Sequence, residues 1–307
     1  MSKILITAAG TGAAFSYANS IAKSFPELEI VTADINEAPY TTAALFANKH
    51  YKVPLSTSSD YQHTIASIIE KEDIDFYLPL LDLEIEAAQK NEVLKNKLVA
   101  NNGKFCQACI EKDNYHTWAF KQDIATPAIV DIDRLDSTQL YVLKKNGGFG
   151  SRDTKVLSGK DILDLDTKGY SIYEHISGTE YTIDCFPDQS AAITTVRERV
   201  EVKNGVSVKT KITQNPYLNT LATKMVQTFG LTHPFCFQVI EQEGIYYMID
   251  VNPRLGGGTA MSAVAGCDYF SAHIAYVLGQ DPKPYLQHIH ESCIVTRQYA
   301  NYLMQVL

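Results

Sequence analysis

The chain has 307 residues, 45% of them hydrophobic, with 35 acidic against 27 basic side chains and a formal net charge of −8. That length and apolar content suffice for two or three compact units with their own cores, and the acidic balance argues against nucleic acid or an anionic membrane as the main partner. No apolar run reaches the roughly 18 to 20 residues of a membrane helix, and the N-terminus opens into a short strand without the segments of a secretory signal, so a cytoplasmic protein is expected.

Lys3 to Thr7 reads as a buried strand. The Ala8-Ala9-Gly10-Thr11-Gly12 turn that follows leads into a helix over Ser16 to Ser24, then a strand over Glu29 to Ala33 that ends in Asp34. Strand, glycine turn, helix, strand and acid open a doubly wound α/β domain. The turn resembles a dinucleotide fingerprint, except that Phe15 stands where the third small residue belongs. Next come Tyr51 to Pro54, a helix over Tyr61 to Glu70 and a strand over Asp75 to Leu81. Asp82, Glu84 and Glu86 follow at the carboxyl end of that strand, where open α/β sheets place their ligands; acids at a solvated helix N-terminus are the commoner explanation.

From Val99 the chain turns to short helices, and a first boundary is placed near residue 100. Cys106 and Cys109, the one close pair among six cysteines, have the i, i+3 spacing of a packed helix and lack the second pair a zinc site would need. Lys112 alone would be a surface lysine. The strand Leu140 to Lys144 runs into Gly147, Gly148, Gly150 and Ser151, either a hairpin loop or a phosphate cover whose amides can approach closely.

After Tyr173 to Asp184 the pattern becomes antiparallel, with strands Ala191 to Val202 and Val206 to Thr213 around Asn204-Gly205. Arg197 and Arg199 share one strand face, and so do Lys209 and Lys211. Such cation pairs need an anion between them or water in front of them, and solvent exposure is the commoner outcome. A helix over Leu218 to Phe229 ends at Gly230, and Phe235 to Ile240 pairs with Ile245 to Asp250 as a hairpin. Equal parity lets Gln238 share a face with Asp250 and Asn252, a set of hard oxygen donors suited to magnesium. Arg254 and Gly256 to Gly258 follow within a few residues. The tail from Ser262 to Leu307 is expected to be helical, with His288 and His290 in packing or surface roles.

The order of these pieces resembles the ATP-grasp superfamily, in its carbamoyl-phosphate-synthetase-like, carboxylate-amine ligase branch. Ile249-Asp250-Val251-Asn252-Pro253-Arg254 looks like that family's glutamate-x-asparagine-proline-arginine motif, with aspartate in place of glutamate. The resemblance implies an α/β fold: a Rossmann-like pre-ATP-grasp domain over 1–100, then two α+β lobes over 101–175 and 176–307. It implies ATP as the nucleotide and Mg²⁺, with Mn²⁺ as an alternative, as the metal. By the same resemblance Lys112, Lys144 and the Gly147 to Ser151 loop hold phosphates, Glu174, His175 and Ile176 form the adenine hinge, and Glu180 binds ribose. Gln238, Asp250 and Asn252 are the metal ligands, and Lys144, Arg199 and Arg254 serve the chemistry.

The implied reaction phosphorylates a small carboxylate, plausibly an amino acid, and passes the acyl group to an amine. Phosphoryl transfer needs positioning and charge neutralisation more than a protein nucleophile. Bicarbonate or carbamate activation, a non-catalytic nucleotide-binding module and a dinucleotide oxidoreductase are the competing readings. The expected partners are small molecules, with a homodimer as an allowed assembly.

Overall fold

The computed structural model describes residues 1–110, 112–145, 154–203, 205–287 and 292–306, with the side chains of 112–115 left out. Four parallel strands come first: β1 (Lys3–Ile6), then α1 (Gly12–Ser24), β2 (Glu29–Asp34), β3 (Lys49–Lys52), α2 (Tyr61–Glu72) and β4 (Phe76–Leu78). Their order, β3-β2-β1-β4, and their parallel pairing make the expected doubly wound sheet. Ile4, Leu5 and Ile6 are wholly buried because such a sheet is covered on both faces. The last strand is shorter than the apolar run suggests, since Pro79 has no N–H to continue the ladder. Short helices α3 (Asp82–Gln89) and α4 (Glu92–Lys97) close this unit, and Val99 bonds back to the carbonyl of Tyr77.

Next follow α5 (Gly103–Ile110) and α6 (Lys112–Lys121), then β5 (Leu140–Lys145), β6 (Thr154–Ser158), α7 (Gly159–Leu163) and β7 (Tyr170–Glu174). The three strands form a small antiparallel sheet, β6-β5-β7. The rest of the chain builds a larger antiparallel sheet from β8 (Thr179–Asp188), β9 (Ala191–Lys203), β10 (Val206–Thr213), β11 (Phe235–Gln242), β12 (Ile245–Asn252) and β13 (Cys293–Thr296). Its order is β12-β11-β8-β9-β10-β13. Helices α8 (Pro216–Phe229), α9 (Ala260–Val264) and α10 (Tyr269–Val277) complete the fold. Asn215 caps α8 through its side chain, and Gly230 ends it in the left-handed conformation.

Two packing relations position the site. Phe105, Cys109, Ala119 and Ile124 pack with Leu218, Met225, Phe235 and Val251, so α5 and α6 share the core of the large sheet. Cys106 and Cys109 are both buried free thiols, Cys109 within that core. Tyr17 of α1 meets Phe270 of α10 edge-on at 4.7 Å, and Ile4, Ile6, Leu255 and Tyr269 belong to the same apolar cluster. The first sheet is therefore seated against the far end of the chain. The tail departs from the helical expectation: residues 293–296 form an edge strand in which Ile294 is exposed and Val295 buried, the two-residue period of a half-covered sheet. His288 and His290 lie outside the described residues.

Candidate active site

A cleft of about 1070 Å³ runs between the three sheets. One wall is the β11–β12 hairpin, where Gln238 stands directly opposite Asp250 and Cys236 opposite Asn252. That register puts Gln238, Asp250 and Asn252 on one face, because side chains alternate along a strand. Asn252 Nδ2 donates to Asp250 Oδ2 at 3.1 Å, which ties the two side chains together on that face. A carboxylate and two amide oxygens are hard donors of the kind magnesium accepts when substrate phosphates complete its shell. Groups of three or more carboxylate, histidine or cysteine ligands do not occur among the described residues, so these three residues fit a phosphate-completed ion rather than a cation held by protein alone.

The pairing slips by one residue between Gln238 and Val239, a bulge at Ile249. The displaced carbonyl of Ile249 receives Lys144 Nζ at 2.6 Å. Lys144 also lies 5.4 Å from the centroid of Tyr173. The small sheet is thereby tied to the β11–β12 hairpin through the lysine expected to reach phosphate. Glu174 ends β7 with its N–H bonded to the Ala128 carbonyl at 2.9 Å. His175 and Ile176 form the following crossover into β8, and both line the cleft with Glu174. Gly147, Gly148, Gly150 and Ser151 lie outside the described residues, as does the side chain of Lys112.

Glu180 sits 2.9 Å from Arg199 Nε, in ion-pair range. Arg199 spends its other nitrogens on Thr182 Oγ1 (3.3 Å) and the Gly205 carbonyl (3.1 Å). Burial raises the Glu180 carboxyl above its ordinary range against the opposing pull of Arg199, and burial lowers the Arg199 guanidinium. Arg254 pairs through Nε with Asp82 Oδ1 at 2.8 Å, while its Nη1 donates to the Leu255 carbonyl at 3.3 Å. It therefore links the large sheet to the first turn of α3.

Three expectations change here. The acids after β4 are not a solvated cluster: Asp82 holds Arg254, and Glu84 is buried, accepting from Thr7 Oγ1 at 2.9 Å and from the amides of Leu80 and Leu81 at 3.2 Å each. Only Glu86 behaves as a surface acid, paired with Lys90. The arginines of β9 do not point at water either. Arg197 is 1% exposed and bonds Asp184 twice, at 2.7 and 3.0 Å, with Thr259 and Ser262 hydroxyls also on that carboxylate. Lys209 and Lys211, in contrast, are exposed as expected, opposite Glu201 and Glu198, and Lys209 pairs with Glu201 at 2.6 Å. Lastly, Asp34 turns onto the glycine turn and accepts from Gly10 N at 2.7 Å. A dinucleotide ribose would need that carboxylate free, so the oxidoreductase reading loses its support.

Asp184, Arg197 and Asp82 were not among the residues expected at the site. Two-residue spacing from Glu180 through Thr182 to Asp184, facing Arg197 across the β8–β9 pair, was the available signal. Behind Arg254, Tyr17 Oη lies 2.7 Å from His273 Nδ1, and His273 Nε2 lies 2.9 Å from His233 Nδ1. Burial lowers the pKa of both histidines, His233 to about 4.

Two family models match the chain: the PylC-like N-terminal domain over residues 4–98, and the ATP-grasp described as belonging to the biosynthetic pathway with the Ter operon over residues 169–299. No curated protein matches it. Among solved structures, the biotin carboxylase domain of 2-oxoglutarate carboxylase from Hydrogenobacter thermophilus, held with MgADP, ADP and bicarbonate, is similar with a TM-score of 0.74 at 13% identity. The match covers 92% of this chain and 70% of that one. The L-amino acid ligase from Bacillus licheniformis gives 0.73 at 13%, over 94% and 78% of the two chains. N5-carboxyaminoimidazole ribonucleotide synthetase from Thermotoga maritima gives 0.69 at 14%, over 91% and 76%. The chain thus has a PylC-like N-terminal domain over residues 4–98 followed by an ATP-grasp domain, matched over residues 169–299, and it shares its fold with these solved structures.

Proposed function

We propose that the protein is an ADP-forming carboxylate-amine ligase whose nucleotide lies in the cleft between the small and large sheets. The observation that carries this reading is the single cleft that gathers Lys144, Glu174 to Ile176 and Glu180 with Gln238, Asp250, Asn252 and Arg254. A magnesium ion, or Mn²⁺ in its place, would be held by Gln238, Asp250 and Asn252 and would neutralise phosphate charge.

A carboxylate oxygen attacks the γ-phosphorus, the bond to the bridging oxygen breaks, and ADP leaves. The amine nitrogen then attacks the acyl carbon, the carbon–oxygen bond breaks with loss of phosphate, and the nitrogen gives up its proton. Lys144, fixed by the Ile249 carbonyl, supplies positive charge without needing to move far. Arg199, held by Glu180, places a second cation on the same wall. Positioned cations of this kind account for most of the rate in phosphoryl transfer. Arg254 is braced by Asp82 and so keeps a fixed orientation toward the substrate side.

The test is ADP release over a panel of amino acids, other small carboxylates, bicarbonate and amines. The reading expects ADP formation that needs both a carboxylate and an amine, with Asp250→Asn lowering it by about a hundredfold or more. Undiminished turnover in that variant would remove the metal assignment. Turnover with bicarbonate alone would move the protein to carbonate activation, and a complete lack of ADP formation would leave a nucleotide-binding module.

A further inference from the structure

The cleft extends beyond the nucleotide wall to a corner made by α1, the glycine run and Arg197, and this corner is built almost wholly of donors. Arg197 is pinned to Asp184 by Nε and Nη2, while its buried Nη1 has no hydrogen-bond partner among the described residues. Leaving such a donor dry costs about 1–3 kcal/mol, so a buried one that lines the cleft calls for an acceptor there. Gly258 lies against it: a Cβ there would stand 2.8 Å from Nη1.

The glycine run itself is polarised. Its carbonyls are all taken, Gly256 by Thr259 N at 3.1 Å, Gly258 by Met261 N at 3.0 Å and Gly257 by Arg297 Nη2 at 2.6 Å. Its three N–H groups have no partner among the described residues. Arg297, just past β13, thus fixes the loop with donors left over.

The first turn of α1 faces the same place. A Cβ on Gly12 would come within 4.0 Å of Gly257 Cα. Thr11 Oγ1 caps Ala14 N at 3.2 Å and Thr11 O takes Phe15 N at 3.1 Å, so the amides of Gly12 and Ala13 stay unspent at the positive end of a 13-residue helix. The nearby carboxylates are already committed, Asp184 to Arg197 and Asp34 to Gly10.

We infer that this corner binds an anionic group, a carboxylate or a phosphate, on the substrate, distinct from the carboxylate that is phosphorylated. The site rests on the ligase reading for its place in the reaction, but its binding of an anion does not. The substrate class that follows is a molecule with two acidic groups, such as an acidic amino acid or another dicarboxylate, or a carboxylic acid that also carries a phosphate. The α1 amides belong to the first domain and Arg197 to the large sheet, so the same contact would hold the two together around substrate.

The test is calorimetric titration of succinate and of inorganic phosphate into protein saturated with a non-hydrolysable ATP analogue and Mg²⁺, and into protein without it. Gly12→Pro removes one amide at the first helical position, where proline is favoured, and Thr11 already has the extended φ −85°, ψ 154° that a following proline requires. It should weaken the anion by about fivefold and leave melting temperature and nucleotide affinity unchanged. Gly258→Ala forces Nη1 aside and should weaken it by about tenfold or more. Asp250→Asn should keep anion binding while losing turnover. Preference for succinate or for phosphate then separates the two sources. Anion affinity equal in the wild type and both glycine variants, or no binding of either anion by the wild type, would overturn the proposal. Loss of ADP formation with anion binding intact would count against the ligase reading alone.

Discussion

Two ion pairs lie side by side on the same face of the large sheet and have different surroundings. Arg197 with Asp184 is a diagonal pair across β8 and β9, whereas the same register sets Arg199 directly opposite Glu180. The first is sealed, with Asp184 wholly buried and accepting four hydrogen bonds. The second opens on the cleft, and Glu180 keeps 33% of its side chain exposed. A sealed pair holds its arginine in one pose, whereas a pair at the rim can exchange its carboxylate's partner for a sugar hydroxyl. Two residues along β9 thus separate an arginine locked in one pose from one whose partner opens on the cleft.

Asp184→Asn should break this contrast most severely. It strands a buried guanidinium, and the loss of stability in urea denaturation should be about 3–5 kcal/mol. A loss below about 1 kcal/mol would mean that the pair is hydrated. Acid should come next, through the deep side of the fold. The pKa of His233 falls to about 4 on burial, below its ordinary 6.5, so the unfolded chain binds the extra proton. Its stabilising effect is complete above pH 6.5 and lost as pH drops toward 4, by ~3 kcal/mol at most. A denaturation series across that range should flatten in His233→Gln.

Asp82→Asn leaves Arg254 without its charge partner between α3 and the large sheet and should cost about 2 kcal/mol, with a rise in substrate KM. The rim pair should matter least for stability and more for nucleotide. Glu180→Gln should change stability by less than about 1 kcal/mol while raising KM for ATP about tenfold. Because burial raises this carboxyl, it gains its proton at a higher pH than an ordinary glutamate, and wild-type KM for ATP should climb as pH falls through that range. The folded state favours the protonated form, so this residue adds stability on acidification rather than losing it. In Glu180→Gln the acid limb should vanish.

Much of this arrangement follows from period and turn chemistry. The β11–β12 hairpin, its Gln238 and Asp250 pairing, and the helix cap at Gly230 are local, and each is readable from alternation or a single residue type. What escaped local reading depends on distant partners. Asp82 looked like a helix-terminal acid because its guanidinium lies 172 residues later, at Arg254. Arg197 looked like a surface cation because nothing in its own strand reveals Thr259 and Ser262 folding over Asp184. Residues 293–296 read as helical tail because an edge strand of four residues carries too little pattern to declare itself. Of the phosphate-binding expectations, only Lys144 falls within the described side chains.

The acyl phosphate route is decided most directly by the fate of one oxygen. With a carboxylate that supports turnover labelled with ¹⁸O, the acyl phosphate route predicts one labelled oxygen in the released inorganic phosphate and ADP as the nucleotide product, in equal amounts with the amide. Unlabelled phosphate, or AMP and pyrophosphate in place of ADP, would contradict it.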